Sequence, residues 1–109
     1  MSEYLGNIDL SKRPTVDDGK GGYMTELSFG FAPDENTEVL IPQIVNGKLV
    51  DRDTAIKHFF NTGEHLGTWD MTGVKDREAM YKEIDYYANK IHEQQAARYN
   101  MQDAARRGL

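Results

Sequence analysis

The sequence predicts an α+β fold in which a three-stranded antiparallel β-meander is followed by a short helix and a long C-terminal amphipathic helix. Residues 23–50 alternate apolar with polar side chains and include Asn46-Gly47, the strongest short-range signal for a hairpin. Residues 51–63 begin with helix-capping aspartates and end at a glycine. From about residue 74 onward, apolar side chains recur at intervals of three and four, which is the period of a helix.

The chain of 109 residues fits one domain, residues 1–109, with a hydrophobic core of modest size. It contains no cysteine, so disulfides and thiol chemistry are excluded. No apolar run approaches the roughly 18 residues of a membrane helix, and the first residues lack the pattern of a secretory signal. We therefore expect a protein that is made and kept in a cytoplasm.

Residues 1–22 are predicted to form an extended arm followed by a mobile loop. Polar and apolar residues alternate from Asn7 to Leu10, and Pro14 forces the residue before it toward an extended conformation. Residues 16–22 are rich in glycine and charge, which is typical of a loop or a hairpin tip.

The predicted meander occupies residues 23–50. In residues 23–31 the odd-numbered positions are mostly apolar and should face the core. The second strand, residues 39–45, contains Pro42, which we expect at a bulge or facing outward on an edge because proline donates no ladder hydrogen bond. The third strand, residues 48–50, follows the Asn-Gly turn.

Two helices complete the predicted fold, over residues 51–63 and 74–106. The long helix carries an apolar stripe that should pack on the sheet, formed by Met80, Ile84, Tyr87, Ala88, Ile91 and Gln95. Tyr81, Tyr86 and Tyr99 lie beside this stripe. These three tyrosines fit a second contact surface for a partner or another copy of the chain as well as they fit a wide core face.

The net charge of −5 is concentrated in the first part of the chain. Residues 1–40 carry eight acidic and three basic side chains, whereas residues 41–109 carry ten of each. This distribution argues against a dedicated nucleic-acid binder. Arg98, Arg106 and Arg107 form the one local basic cluster, and cations at that position are typical of a solvated helix C-terminus.

No residue pattern indicates catalysis, a cofactor or a metal. His58, Glu64, His65 and His92 do not follow a compact metal-ligand spacing, and a histidine beside turn glycines more often orders the loop. The glycine-rich stretch at residues 19–22 has no continuation into a phosphate loop. We therefore predict a protein that is not an enzyme, and we expect its single tryptophan to plug the space between helix and sheet.

An ordered series of short motifs resembles a small domain of tailed-bacteriophage proteins. That domain is found alone or fused in large virion-associated proteins, some of which also carry lytic transglycosylase domains. The resemblance covers residues 7–99, except around residues 19–23 and 33–37, where the chain departs from the pattern. The matching motifs are Asn7-Ile8-Asp9-Leu10 with Arg13-Pro14, Glu38-Val39-Leu40-Ile41-Pro42, Thr62-Gly63 with His65-Leu66-Gly67, and Tyr87-Ala88 with His92 and Gln95.

The resemblance implies a non-catalytic structural or virion-associated protein that acts through protein–protein contacts in the tail, the portal region or the ejected set. It implies residence in the virion after synthesis in the host cytoplasm, other virion proteins as partners, and several copies or a homo-oligomer. Neither nucleic acid nor a membrane is expected as the primary partner. The residues predicted to contact partners are Ile8, Leu10, Pro14, Tyr86, Tyr99 and Met101.

Two alternatives remain open from the sequence. The chain could be a small phage-encoded inhibitor of a host protein, in which acidic residues mimic a nucleic-acid backbone. These acidic residues are Asp17, Asp18, Asp34, Glu35 and Glu38. It could also be a peptidoglycan-directed accessory domain, for which exposed tyrosines or the tryptophan would bind the cell wall.

Overall fold

The structure, a computed structural model, describes the backbone of residues 4–106 and the side chains of residues 4–98. It confirms an α+β fold with antiparallel strands and two helices, the second of them long. A 3-10 turn at Leu10–Lys12 precedes the regular elements. These are β1 (Val16–Asp17), β2 (Tyr23–Met24), β3 (Ser28–Asp34), β4 (Thr37–Pro42), β5 (Ile44–Val45), β6 (Lys48–Leu49), α1 (Arg52–Thr62), β7 (Gly67–Asp70) and α2 (Arg77–Arg106).

The central sheet has three antiparallel strands in the order β3-β4-β7. Its third strand therefore comes from beyond α1 and not from the residues after the Asn-Gly turn, as the predicted meander required. Leu40 of β4 pairs with Gly30 on one side and with Gly67 on the other. Pro42 is buried at the last position of β4, two residues past the last β4–β7 pair, where no ladder partner needs its missing N–H.

The Asn-Gly turn forms as predicted, but the hairpin that it closes is separate from the central sheet. Ile44 pairs with Leu49, and Val45 pairs with Lys48. Asn46 and Gly47 have φ angles of 53° and 76°, the left-handed values that a type I′ turn requires at both central positions. The two strands form a short ribbon beside α1.

A different helix packs on each face of the central sheet. Successive side chains of β4 point to these two faces in turn, so neighbouring residues join different clusters. Val39 and Ile41 form one cluster with Ala55 of α1. Leu40 belongs to the other cluster, which also contains Ile8, Leu66 and two residues of the predicted α2 stripe, Ile84 and Ile91. The same stripe contributes Tyr87 and Ala88 at the edge of this second cluster.

Both ends of α1 are set by local chemistry. The Asp51 side chain accepts a hydrogen bond from the Thr54 N–H at 2.8 Å and so satisfies one of the free amides at the helix start. Gly63 adopts a left-handed conformation with a φ of 72°, and its N–H donates to the Phe59 carbonyl. Within the part of the chain that the structure describes, no helical segment has the length and apolar character of a membrane span.

Gly67 lets β7 approach the aromatic side chains of Trp69 and Tyr87. These two rings pack edge to face with centroids 5.3 Å apart, in keeping with the predicted role of the tryptophan between helix and sheet. A Cβ atom on Gly67 would lie 2.7 Å from Cη2 of Trp69 and 3.2 Å from Cε1 of Tyr87. Since both neighbours are rigid rings, the position requires glycine.

Replacement of Gly67 by alanine is therefore expected to destabilise the fold by about 1–3 kcal/mol, the usual cost of overpacking a core. Urea unfolding followed by tryptophan fluorescence measures this change. Thr68→Ala, at the exposed neighbouring position, is the matched control and should change the free energy of unfolding much less. Equal stability of Gly67→Ala and the parent would contradict the close packing of Trp69.

The N-terminal segment folds back onto the body of its own chain. The Asn7 N–H donates to the His65 carbonyl at 3.1 Å, and the His65 N–H donates to the Asn7 side chain at 2.8 Å. The Asn7 amide group also donates to the Gly63 carbonyl at 2.9 Å. Asn7 therefore uses both its backbone and its side chain to hold the loop between α1 and β7, and the alternating residues 7–10 form no strand.

Candidate functional site

The most distinctive surface of the molecule is a groove between the free edge of β3 and helix α2, which we call the β3–α2 groove. β3 is an edge strand because its only neighbour in the sheet is β4. In an antiparallel ladder, every second residue directs its backbone N–H and C=O groups toward the partner strand. Leu27 is such a residue, because its carbonyl accepts a hydrogen bond from the Gln43 N–H. Ser28 and Gly30 therefore direct their backbone N–H and C=O groups away from β4, toward the open edge.

Helix α2 runs antiparallel to β3 and is fixed at both ends of the groove. Near the start of the helix, the Arg77 guanidinium donates to the Glu35 carbonyl at 3.2 Å. Four turns later, the His92 Nδ1–H donates to the Glu26 carbonyl, just before β3 begins. The helix thus passes along the edge strand between these two contacts.

One end of the groove contains a partly open cavity of about 170 Å³. Its lining combines apolar and polar side chains from both walls, namely Leu27, Ser28, Ala88, Asn89 and His92. The cavity adjoins the outward-facing backbone of Ser28, so a strand added to β3 would place a side chain beside it.

The Glu38 carboxylate lies over Gly30 on the helix side of the sheet. Glu38 is only 9% exposed, and a Cβ atom on Gly30 would lie 2.6 Å from its Oε2. No hydrogen bond or ion pair engages this carboxylate within the described part of the chain. Burial raises its pKa, and the positive charge of Arg77 offsets part of that shift. Its oxygens still reach solvent, since the one described buried side-chain atom without a hydrogen-bond partner belongs to His65, and a cationic or hydrogen-bond-donating ligand would pair with them there.

Replacement of Glu38 by glutamine is expected to stabilise the free protein at neutral pH. The folded-state pKa of Glu38 is raised above its ordinary value of 4.5, so the parent loses stability as the pH rises from 4.5 through the folded pKa. Glutamine has no charge to bury and escapes this loss. Thermal unfolding should show a higher Tm for the variant at pH 7 and no such difference near pH 4. A lower Tm at pH 7 would show that the charge of Glu38 is already satisfied.

Below the cavity, a buried ion pair fixes the segment that precedes β3. Glu26 is 1% exposed, and its carboxylate accepts two hydrogen bonds from Arg13, at 2.6 and 3.1 Å. Arg13 also donates to the Ile44 carbonyl at 2.7 Å. Burial raises the pKa of Glu26, and the Arg13 guanidinium offsets part of that shift. This pair anchors the N-terminal segment against the base of the groove.

Of the residues predicted to contact partners, three lie in the N-terminal segment. Ile8 is 7% exposed and belongs to the core cluster, and Leu10 packs against that cluster. The Leu10 carbonyl accepts a hydrogen bond from the Gln95 side chain at 2.7 Å. Pro14 is exposed and lies beside Gly47 of the hairpin turn. A partner could reach Pro14 directly, whereas Ile8 and Leu10 contact this chain's own core.

The other three predicted contact residues lie on α2. Tyr86 is 65% exposed, and the Lys90 ammonium lies 5.6 Å from its ring centroid, so the position is open to a partner. The side chains of Tyr99 and Met101 lie outside the described residues. The structure therefore does not bring the four predicted residues with described side chains together at one surface.

The histidines do not converge on a common site. His58 Nε2 lies 3.0 Å from Oε1 of Glu64, whereas the ring of His65 has a buried Nδ1 without a hydrogen-bond partner. Burial lowers the pKa of His65. Over the residues whose side chains are described, no group of three or more His, Asp or Glu side chains is arranged to hold a metal ion.

Sequence reasoning missed the β3–α2 groove because its parts carry no local signal. Glu38 and Ser28 read as ordinary polar residues of a strand, and their shared face depends on which helix covers that side of the sheet. The isolated glycine at position 30 was the one available indication, since glycine inside a strand often marks close approach of another group.

No protein-family model matches the chain, and comparisons with curated proteins and with solved structures found no match.

Proposed function

We propose that this chain is a non-catalytic bacteriophage structural or virion-associated protein that acts through protein–protein contacts in the particle. The observation that carries the proposal is the β3–α2 groove. It combines a free strand edge, an adjoining cavity and the largely buried Glu38, whose carboxylate makes no described hydrogen bond or ion pair. Such a surface suits the binding of another polypeptide by strand addition, which needs no catalytic group.

The setting in a phage particle is supported by the resemblance of residues 7–99 to the phage domain. Several copies of the chain would occupy equivalent places in the tail, the portal region or the ejected set. Additional contacts would come from exposed aromatic side chains, of which Phe60 and Tyr86 are 63% and 65% exposed. Large exposed aromatics are enriched at protein interfaces.

Quantitative mass spectrometry of purified particles from the phage that encodes the chain tests this proposal. The amount of the chain is normalised to the portal protein. A copy number close to a whole multiple or a simple fraction of the number of portal subunits would support a place in the particle. Absence from washed particles would overturn the proposal.

A host-directed inhibitor is the other outcome of that experiment. Capture of one host protein by the tagged chain, together with absence from particles, would support it. One of the acidic residues first considered for nucleic-acid mimicry, Glu38, is buried on the helix side of the sheet. It contributes to the groove and not to an exposed acidic surface.

A further inference from the structure

We propose that the β3–α2 groove binds an extended segment of a partner protein that carries an arginine or lysine. The basic side chain pairs with Glu38, and a side chain two residues away enters the cavity beside Ser28. This inference rests on the proposed function, since it specifies the chemistry of a protein partner.

The backbone of β3 supplies the first requirement. Ser28 and Gly30 direct their N–H and C=O groups toward solvent at the edge of the sheet, and no described hydrogen bond engages these groups. An incoming strand would pair with them in the way that β4 pairs on the opposite side. Pro33, within β3, and the shift of register between Phe31 and Asp34 limit this pairing to the first half of the strand.

The Glu38 carboxylate supplies the second requirement, which is selectivity for positive charge. Its position over Gly30 leaves it beside the open edge, where glycine provides no side chain to cover it. Arg77, whose positive charge acts on Glu38, makes its hydrogen bond to the Glu35 carbonyl instead. A basic side chain on the added strand would pair with this carboxylate through a charge-assisted hydrogen bond.

The third requirement is that the two subsites, the Glu38 carboxylate and the cavity beside Ser28, match the side-chain spacing of an added strand. Ser28 and Gly30 are two residues apart, so their side-chain directions lie on one face of β3, about 7 Å apart. Side chains at positions i and i+2 of an added strand have the same spacing and face the same wall. The recognised pattern is therefore a basic residue and, two positions away, a residue small enough for a cavity of about 170 Å³, such as valine.

A symmetric peptide tests the proposal without assuming the direction of the added strand. The probe is acetyl-Ser-Thr-Val-Thr-Arg-Thr-Val-Thr-Ser-amide, and the two control peptides carry citrulline or glutamate in place of arginine. Binding to ¹⁵N-labelled full-length protein is followed by amide shifts and by amide hydrogen exchange. We expect saturable binding of the arginine peptide, with shifts and slowed exchange at Ser28 and Gly30, and at least tenfold weaker binding of both controls.

Glu38→Gln keeps the shape of the side chain and removes its charge. This variant should bind the arginine peptide about tenfold more weakly and should no longer distinguish it from the citrulline peptide. Glu35→Gln, at an exposed position on the adjacent turn, is the matched control and should change binding less than twofold. Retention of the parent fold by both variants is checked by their amide spectra.

Three results would overturn the inference: no saturable binding, binding that leaves Ser28 and Gly30 unchanged, or equal binding of the arginine and citrulline peptides to the parent. A dimer in sedimentation whose amides at Ser28 and Gly30 already exchange slowly without peptide would also overturn it. A second copy of the chain would then occupy the edge of β3. If the peptides fail but the chain copurifies with particles, only this inference fails. If the peptides bind but the chain is absent from particles, the proposed phage function fails.

Discussion

Replacement of Arg13 by methionine is expected to lower the free energy of unfolding by about 3–5 kcal/mol at pH 8, the usual cost of leaving one member of a buried ion pair without its partner. Glu26 is 1% exposed and receives two hydrogen bonds from Arg13, at 2.6 and 3.1 Å. Methionine fills part of the space but provides no charge and no donor. The Ile44 carbonyl loses a donor as well.

The pH dependence of this loss identifies its cause. Without Arg13, the folded-state pKa of Glu26 rises further, so the buried carboxylate is accommodated by protonation at low pH. The loss of stability should therefore shrink as the pH falls toward 4.5, the ordinary pKa of the group. It should reach its full size at pH values above the raised folded-state pKa of Glu26. Urea unfolding at several pH values measures this profile.

Lys12→Met is the matched control for Arg13→Met. Lys12 lies 3.9 Å from Asp9 in an ion pair whose side chains are 80% and 58% exposed, and such pairs contribute little to stability. The free energy of unfolding should change by less than about 1 kcal/mol. A comparably small, pH-independent change in Arg13→Met would show that the N-terminal segment is not anchored through Glu26.

Replacement of Ile8 by alanine is expected to cost about 2–5 kcal/mol, the range found for large-to-small substitutions in cores. Ile8 is 7% exposed and packs with Leu40, Leu66, Ile84 and Ile91. The substitution would leave a cavity between the sheet and α2. Chemical denaturation gives the size of the effect, and Leu5→Ala, at a position that is 39% exposed, is the control, with an expected change below about 1 kcal/mol.

The result for Ile8 separates two descriptions of the N-terminal segment. If the segment is part of the folded body, Ile8→Ala lowers the stability of the isolated protein. A segment that extends freely to contact a partner would leave the stability of Ile8→Ala within about 0.5 kcal/mol of the parent while weakening association. The second outcome would contradict the packing of Ile8 in the core.

The helices and the Asn-Gly turn could be predicted because their signals are local. Asp51 and Gly63 bracket α1 through hydrogen bonds within one turn of the helix ends. The α2 stripe repeats over several turns, and its buried positions Ile84, Ile91 and Gln95 are those that the spacing selects. In each of these elements the nearby sequence alone determines the conformation.

The third strand of the central sheet could not be predicted in the same way. Residues 67–70 form a strand of only four residues, and the first of them is a glycine, which suggests a turn. Their pairing with β4 joins Gly67 to Leu40, far apart in sequence. The residues after the Asn-Gly turn were closer candidates, but they form a separate ribbon with β5. Long-range pairing overrides the local pattern here.

The base of the candidate site was equally hidden from the sequence. Glu26 occupies the polar position of an alternating stretch, where an exposed side chain is expected, yet it is buried because Arg13 reaches it from the N-terminal segment. That segment was predicted to be an extended arm. Its docking depends on contacts with residues 63–65 and on the core cluster, and neither is visible before the fold is known.

Hydrogen exchange of the chain within purified particles, compared with the free chain, tests whether the β3–α2 groove binds a partner there. We expect amides at residues 28–30 to exchange more slowly in the particle, because a partner strand satisfies the free edge of β3. The already buried residues 39–41 should show little change and serve as the internal reference. Unchanged exchange at residues 28–30, with slowing confined to other surfaces, would contradict the β3–α2 groove as the site of partner binding.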